Sequence, residues 1–315
     1  MLWYRILSAA MIAMLALIAF YPALRLRSSR RFVAVLALAG AAALTPFLLP
    51  PSAVLARFFV ALFAGVMAMK MWDLHIGLEV GSRPVLREFL GFAVNPMLLV
   101  WRKRQSEVQT SKRDDMRKLV LALARGAMAV VVLIGLQRLD WTGLPFLLQH
   151  LPIATALFVL VTATLDTGVA LARLCGARVV DANDHPLRSR TPAEFWRRYN
   201  RLVGQFLSED FFRPMRGLRH PLRSTLAVFA VSGLLHEYLF WMAIGRGAGL
   251  QMSFFMLQGV AVAATLRVKP TRATAPLWWL ATFAFNGVSS VLFFASIALM
   301  LPIYPDGLPG WLRTW

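Results

Sequence analysis

The chain has 315 residues, 58% of them hydrophobic and 16% charged, with a formal net charge of +19. Soluble domains carry nearer ~25% charged residues, so the composition excludes one and points to a polytopic membrane protein. Arginine and lysine sit in short runs between apolar segments, which orients spans in a bilayer, so the charge reads as topology and no nucleic-acid partner is expected.

Apolar segments run over about 4–24, 32–50, 53–72, 119–137, 147–172, 224–243, 250–267 and 277–302. Each approaches or exceeds the ~20 residues needed to cross the hydrocarbon core, so eight transmembrane helices are expected. The first is preceded only by Arg5 and followed by the basic cluster, so it reads as a retained span rather than a cleaved signal. A shorter piece, Phe89 to Trp101, is interrupted by Asn95 and Pro96 and suits a re-entrant or interfacial segment. LLPPS (Leu48 to Ser52) and PTRATAP (Pro270 to Pro276) read as tight hairpins between spans. Without an internal repeat or a low-complexity linker, residues 1–315 read as a single domain.

Most of the arginine and lysine falls in Arg25–Arg31, Arg83–Arg87, Arg102–Lys118, Arg173–Arg223 and Arg267–Arg272. With eight crossings all five segments lie on one side, expected to be the cytoplasm, and both termini on the other. If the source is bacterial, the membrane is the inner one. The expected fold is thus all-α: about eight transmembrane helices, one re-entrant or interfacial segment and one cytoplasmic amphipathic helix.

That last helix is read from Thr191-Pro192-Ala193-Glu194, which matches a capping box with proline at the first helical position. Continued helically, the chain places Phe195, Tyr199 and Leu202 on one face and Trp196 and Asn200 on an adjoining one. Arg197, Arg198 and Arg201 are then available to phosphates, either lipid headgroups or those of a ligand such as coenzyme A. An interfacial helix with an aromatic belt and snorkelling arginines fits the same pattern.

His236 and Glu237 lie inside the apolar span 224–243, with Ser232 one turn before and Phe240 one turn after. His236 is about twelve residues in, roughly 18 Å deep at 1.5 Å per residue. Ionisable groups at such depth face a cavity or a partner and mark a functional site, although a histidine can also serve as interhelical glue.

The block Pro186, Ser189, Phe195-Trp196-Arg197-Arg198 and Asn200, followed by Ser232-Gly233-Leu234-Leu235-His236-Glu237, resembles the wax synthase branch of the membrane-bound O-acyltransferases. The resemblance is dense over about residues 186–240. Here the first motif reads FWRRYN, without the glycine after Trp196 and with Tyr199 in place of tryptophan.

The resemblance implies acyl-CoA-dependent transfer of an acyl chain to the hydroxyl of a lipid-like alcohol, as in a wax ester synthase. His236 would be the central catalytic residue and Asn200 its companion. A neutral imidazole can deprotonate an alcohol as it attacks, worth ~10² to 10⁴-fold. Asn200 cannot be the base; its amide could orient His236, position the acyl carbonyl or donate to the oxyanion. Trp196, Arg197, Arg198, Arg201, Ser232 and Glu237 are the expected substrate-binding residues. Acyl-CoA is a co-substrate and no cofactor is expected; membrane lipids and a hydrophobic alcohol are the other partners.

No Gly-x-Ser-x-Gly element is present and the lone Cys175 falls outside the motifs, which favours direct transfer in a ternary complex within the membrane over a covalent route. Asp73 and His75 could ligate a metal with His236, but no third ligand has suitable spacing, and no metal is expected. Asp166 is a further intramembrane carboxylate, expected to pair with Arg173 or to line a tunnel. His150, His185 and His220 are assigned no chemistry. The competing function is a transporter or channel whose pathway is lined by the buried polar residues, although the inverted repeats of many transporters are absent.

Overall fold

The computed structural model describes residues 2–78, 83–103 and 110–313. Residues 104–109 of the basic run Arg102–Lys118 lie outside the described residues. Among the described residues there is no strand, and the helices are α1 (Leu2–Ala23), α2 (Ser28–Ala43), α3 (Val54–Gly77), α4 (Leu86–Val94), α5 (Lys112–Leu136), α6 (Phe146–Leu174), α7 (Pro192–Arg198), α8 (Arg201–Leu207), α9 (Pro221–Ile244), α10 (Leu250–Thr265), α11 (Ala275–Ala298) and α12 (Gly310–Arg313). Seven of them are long and apolar enough to cross a membrane, α2 doing so together with the 3-10 turn that ends at Leu48. The eighth expected span is α10, a 16-residue apolar helix.

The brevity of α10 has a local cause. Gly245, Gly247 and Gly249 all adopt positive φ, so the chain folds back into the bundle after α9 instead of continuing outward. The carboxylate of Glu237, a full two turns before the end of α9, accepts hydrogen bonds from the backbone N–H groups of Gly249 (2.7 Å) and Met252 (3.0 Å). The helix start is therefore buried, and an anion satisfies N–H groups that would otherwise be orphaned in an apolar setting.

α1, α2 and α3 form one bundle; Ala13, Leu17, Phe20, Met67, Met71 and Leu74 build its core, joined by Phe89 and Phe92 of α4. Ala9, Ala13 and Ala16 line the buried side of α1, as expected where membrane helices associate by close backbone approach. α5 packs on α6, α9 on α10, and α11 bridges α10 and α6.

The re-entrant reading of Phe89 to Trp101 corresponds to α4 and the turns that follow it. Lys70, fully buried on α3, donates from Nζ to the carbonyls of Phe92, Ala93 (3.2 Å) and Asn95 (2.7 Å). A cation thus takes the free carbonyls at the C-terminus of a nine-residue helix.

At the end of the bundle where the basic segments meet, Arg102 bridges the carboxyl groups of Asp73 and Asp210, and Asp73 also accepts the Trp101 N–H at 2.6 Å. His75 accepts a hydrogen bond from Arg31 Nε at 3.2 Å. Neither Asp73 nor His75 is therefore directed toward His236. Asp210 lies in a π-helical turn, Ser208–Phe212, whose Glu209 pairs with Lys103 and Arg213.

Burial, with the nearby Asp73 charge, pushes the Asp210 carboxyl up to about 8. The folded state then holds a proton that the unfolded chain, with a pKa of ~4, has lost. Stability should fall as pH rises from ~4 to ~8 and be flat beyond. The melting temperature of the wild type in detergent should accordingly drop between pH 5 and pH 8, and Asp210→Asn should flatten that drop; an equal drop in both proteins would contradict this assignment.

One sequence expectation is corrected. Arg173 does not pair with Asp166: its guanidinium contacts Asp181 (2.8 Å) and Asp115 (3.6 Å), whereas Asp166 accepts from Arg125 at 2.6 Å. His150, assigned no chemistry from the sequence, is fully buried, with Nδ1 2.7 Å from the Tyr304 hydroxyl and Nε2 3.0 Å from both the Gly287 carbonyl and Ser290 Oγ. This network ties the segment after α11 to α6 and α11.

Candidate functional site

The segment between α6 and α9 enters the bundle rather than lying along its surface. Asn183 donates from Nδ2 to the carbonyl of Thr162 (3.3 Å) and to Asp166 Oδ1 (3.0 Å). Thr162 is roughly 18 Å along α6 from its end at Leu174, so residues 177–184 run back alongside that helix. α7 follows them inward. Thr191 caps it as expected, its Oγ1 accepting the Glu194 N–H at 3.1 Å, while Glu194 Oε2 accepts the N–H of Arg190 at 2.8 Å instead of that of the cap residue itself.

Trp196 then reaches α10, donating from Nε1 to Gln258 Oε1 at 2.9 Å, and its ring meets Phe229 at 5.2 Å and Phe255 at 5.7 Å between centroids. Gln258 passes the bond on, donating to Ser289 Oγ of α11 at 2.8 Å. The expected amphipathic helix is thus an internal wedge joining α9, α10 and α11.

The continuous helix expected through Asn200 does not form. α7 ends at Arg198, Tyr199 is extended, and Asn200 stands in the left-handed region at φ 40°, ψ 58°. A new helix, α8, starts at Arg201. Asparagine is among the few non-glycine residues that tolerate this conformation, and it doubles as the cap of α8. Its Oδ1 accepts the Val203 N–H at 3.4 Å. That contact turns Nδ2 away from the helix, and among the described residues Nδ2 has no hydrogen-bond partner. Trp196 and Asn200 therefore do not share a helical face.

His236 sits where α9 crosses α10. Gly233, one turn earlier, is pressed against Met252 and Phe255, and a methyl group there would meet the Met252 backbone at 3.3 Å. This closeness brings the Phe255 ring to 4.4 Å from the imidazole, with Phe293 of α11 at 5.9 Å. His236 Nδ1 lies 2.9 Å from the Ser232 carbonyl. A carbonyl only accepts, so Nδ1 carries the proton and Nε2 presents its lone pair. Among the described residues Nε2 has no hydrogen-bond partner, and the side chain is only partly buried.

The two open atoms thus have opposite character: a lone pair on His236 Nε2 and an N–H donor on Asn200 Nδ2. Aromatic rings line the path between their elements, with Phe255 touching both His236 and Trp196, and Trp196 touching Tyr199. No hydrogen bond joins Asn200 to His236. Burial pushes the Tyr199 phenol up to about 12, so it is a neutral hydroxyl at physiological pH.

The remaining expected residues are placed as follows. Ser232 contributes its backbone carbonyl, and Glu237 is committed to the start of α10. Arg198 pairs with Glu194 at 2.7 Å. Arg197 is exposed and Arg201 half-buried, neither with a salt bridge among the described residues. Among the described residues no group of three histidine, cysteine, aspartate or glutamate side chains could hold a metal ion. Asn183, which sequence reading passed over, touches the candidate site through a 3.2 Å bond from the Asn200 N–H to its Oδ1. Its only sequence signal is its place in a polar run before the motif.

Residues 129–297, from within α5 to within α11, match the MBOAT model, the membrane-bound O-acyltransferase family. The chain belongs to this family. The match includes α7, α8, α9 and α10, hence both Asn200 and His236.

Two similar proteins come from Arabidopsis thaliana. Probable long-chain-alcohol O-fatty-acyltransferase 2 is 29% identical over 153 residues, 45% of this chain and 43% of that protein. Probable long-chain-alcohol O-fatty-acyltransferase 1 is 25% identical over 208 residues, 61% of this chain and 59% of that protein. The chain therefore spans about half the length of the relatives it matches.

Proposed function

We propose that the protein is an O-acyltransferase that moves an acyl chain from acyl-CoA to the hydroxyl of a lipid-like alcohol, within the membrane and in one ternary complex. The observation that carries this reading is the state of His236: an imidazole whose Nδ1 proton is committed to a carbonyl and whose Nε2 is open, set among aromatic rings inside a matched acyltransferase segment.

In this reading the alcohol gives its proton to His236 Nε2 as its oxygen attacks the thioester carbon. The charge that develops on the carbonyl oxygen is met by the Asn200 Nδ2–H. The carbon–sulfur bond then breaks, and the thiolate recovers the proton from the imidazolium, leaving an ester and free CoA thiol. The aromatic surround excludes water that would otherwise hydrolyse the thioester. Cys175 is exposed at the end of α6, which fits transfer without an acyl-cysteine intermediate.

Initial rates measured while both substrates are varied test this reading. Intersecting double-reciprocal lines are expected; parallel lines would indicate a covalent intermediate and remove the ternary complex. A transporter would move label across vesicles without forming ester.

The basic end of the bundle is read as cytoplasmic and as the side of CoA entry, because the short lysine- and arginine-rich loops gather there. Reporter fusions after Lys118 and after Arg190 should both report the cytoplasm; opposite answers would contradict the span count.

With Arg198 held by Glu194, Arg197 and Arg201 are the better-placed partners for the CoA phosphates. Neutralising both to glutamine should raise the KM for acyl-CoA several-fold before the KM for the alcohol moves, and less so at high salt. An unchanged donor KM on equal amounts of inserted protein would take these arginines out of the site.

A further inference from the structure

Asp166 is a half-buried carboxylate within α6, and the reaction outlined above gives it no part. It is nevertheless the midpoint of a continuous chain of polar contacts. Arg125 of α5 donates to its Oδ2 at 2.6 Å, and Asn183 Nδ2 donates to its Oδ1 at 3.0 Å. Asn183 Oδ1 in turn accepts the backbone N–H of Asn200 at 3.2 Å.

Every orientation in this chain is fixed by charge or by donor type. A carboxylate only accepts, so the Asn183 amide must turn Nδ2 toward Asp166, and its oxygen is then the only atom left to face the Asn200 N–H. The carbonyl of Thr162 shares the same Nδ2 at 3.3 Å and reinforces that orientation. Two backbone bonds flank the contact: Arg201 N–H to the Ala182 carbonyl at 2.7 Å, and Asp184 N–H to the Arg198 carbonyl at 2.9 Å. The segments 182–184 and 198–201 are therefore stitched together at the place where Asn200 adopts positive φ.

Asparagine tolerates that conformation better than other non-glycine residues, but it persists only where its surroundings impose it. It also sets where Asn200 points: it ends α7, starts α8 and leaves Nδ2 outside the helix cap.

We infer that Asp166 and Asn183 are positioning residues for the transfer reaction: held by Arg125, they fix the left-handed turn of Asn200 and so aim its side-chain amide. The inference rests on the functional reading above only for the consequence in turnover; the coupling of the three residues is a matter of geometry.

The test exploits the polarity of the Asp166–Asn183 bond. Asn183→Asp sets two carboxylates face to face and removes the donor. Adding Asp166→Asn restores one donor and one carboxylate with their places exchanged and keeps an acceptor for the Asn200 N–H, leaving only the longer bond to the Thr162 carbonyl unmade. Asn183→Asp alone should lower kcat by at least ~10-fold, since sub-ångström misplacement of a catalytic group is costly, while the KM for acyl-CoA changes less than ~2-fold. The exchanged pair should recover most of that loss, the bond to the Thr162 carbonyl alone staying unmade. Recovery by exchange is an outcome that loss of fold would not give.

A second readout needs no turnover. Hydrogen exchange of peptides covering 199–203 should be faster in Asn183→Ala and Asn183→Asp, and return to the wild-type rate in the exchanged pair. Unaltered exchange in the single variants, or a kcat deficit that the exchanged pair fails to repair, would overturn the inference. An inactive wild type with the exchange pattern as expected would overturn the functional reading and leave the coupling standing.

Discussion

His236→Ala is expected to lower turnover by ~10² to 10⁴-fold while leaving acyl-CoA binding nearly unchanged. The split follows from the geometry. The imidazole touches the Ser232 carbonyl and the Phe255 and Phe293 rings, and among the described residues its Nε2 has no hydrogen-bond partner. Removing it takes away the proton acceptor but none of the arginines at the basic end.

His236→Gln is the sharper companion, because glutamine can accept a hydrogen bond but cannot hold a proton and release it to the thiolate. Both variants should fail alike. Retention of more than about a tenth of the activity in either would be too small a loss for a general base, and His236 would then be reduced to packing between α9 and α10.

The second large effect is on folding. Lys70→Met should reduce stability by about 3 kcal/mol or more, because it leaves three carbonyls at the end of α4 unpaired in an apolar surround at ~1–3 kcal/mol each. The loss is partly offset by no longer burying an ammonium, so the estimate stays near the low end of that sum. Lys70→Gln, which keeps two of three donors, should fall between. The measurement is the melting temperature and the yield of folded protein in detergent. If Lys70→Met melts with the wild type, the ammonium does not hold α4 in place.

Seven of the spans were legible because each is a run of apolar residues whose length the bilayer dictates, and the cap at Thr191 was legible because its bond to the Glu194 N–H is local. What the sequence hid depends on contacts distant along the chain. Glu237 looked like half of a functional His–Glu pair, yet its carboxylate caps the buried start of α10. The glycines at 245, 247 and 249 carried a signal for that turn, but only the three-dimensional path shows that it leads inward.

Helical periodicity placed Trp196 and Asn200 on one face; the break at Tyr199 escaped because it is imposed by the pairing of 182–184 with 198–201, not by a local helix breaker. Asp166 was legible as an intramembrane carboxylate, but its partners Arg125 and Asn183 come from another helix and from a loop that folds back into the bundle.

Acyl transfer at the His236 site would release two products together, an ester and a thiol, and both can be counted in one assay. Protein in vesicles, supplied with radiolabelled acyl-CoA and a long-chain alcohol, is assayed for labelled ester and for free CoA thiol, with His236→Gln in parallel. Ester and thiol should appear in equal amounts in the wild type and neither above background in His236→Gln. Thiol without ester, or ester formed at the wild-type rate by His236→Gln, would contradict acyl transfer at this site.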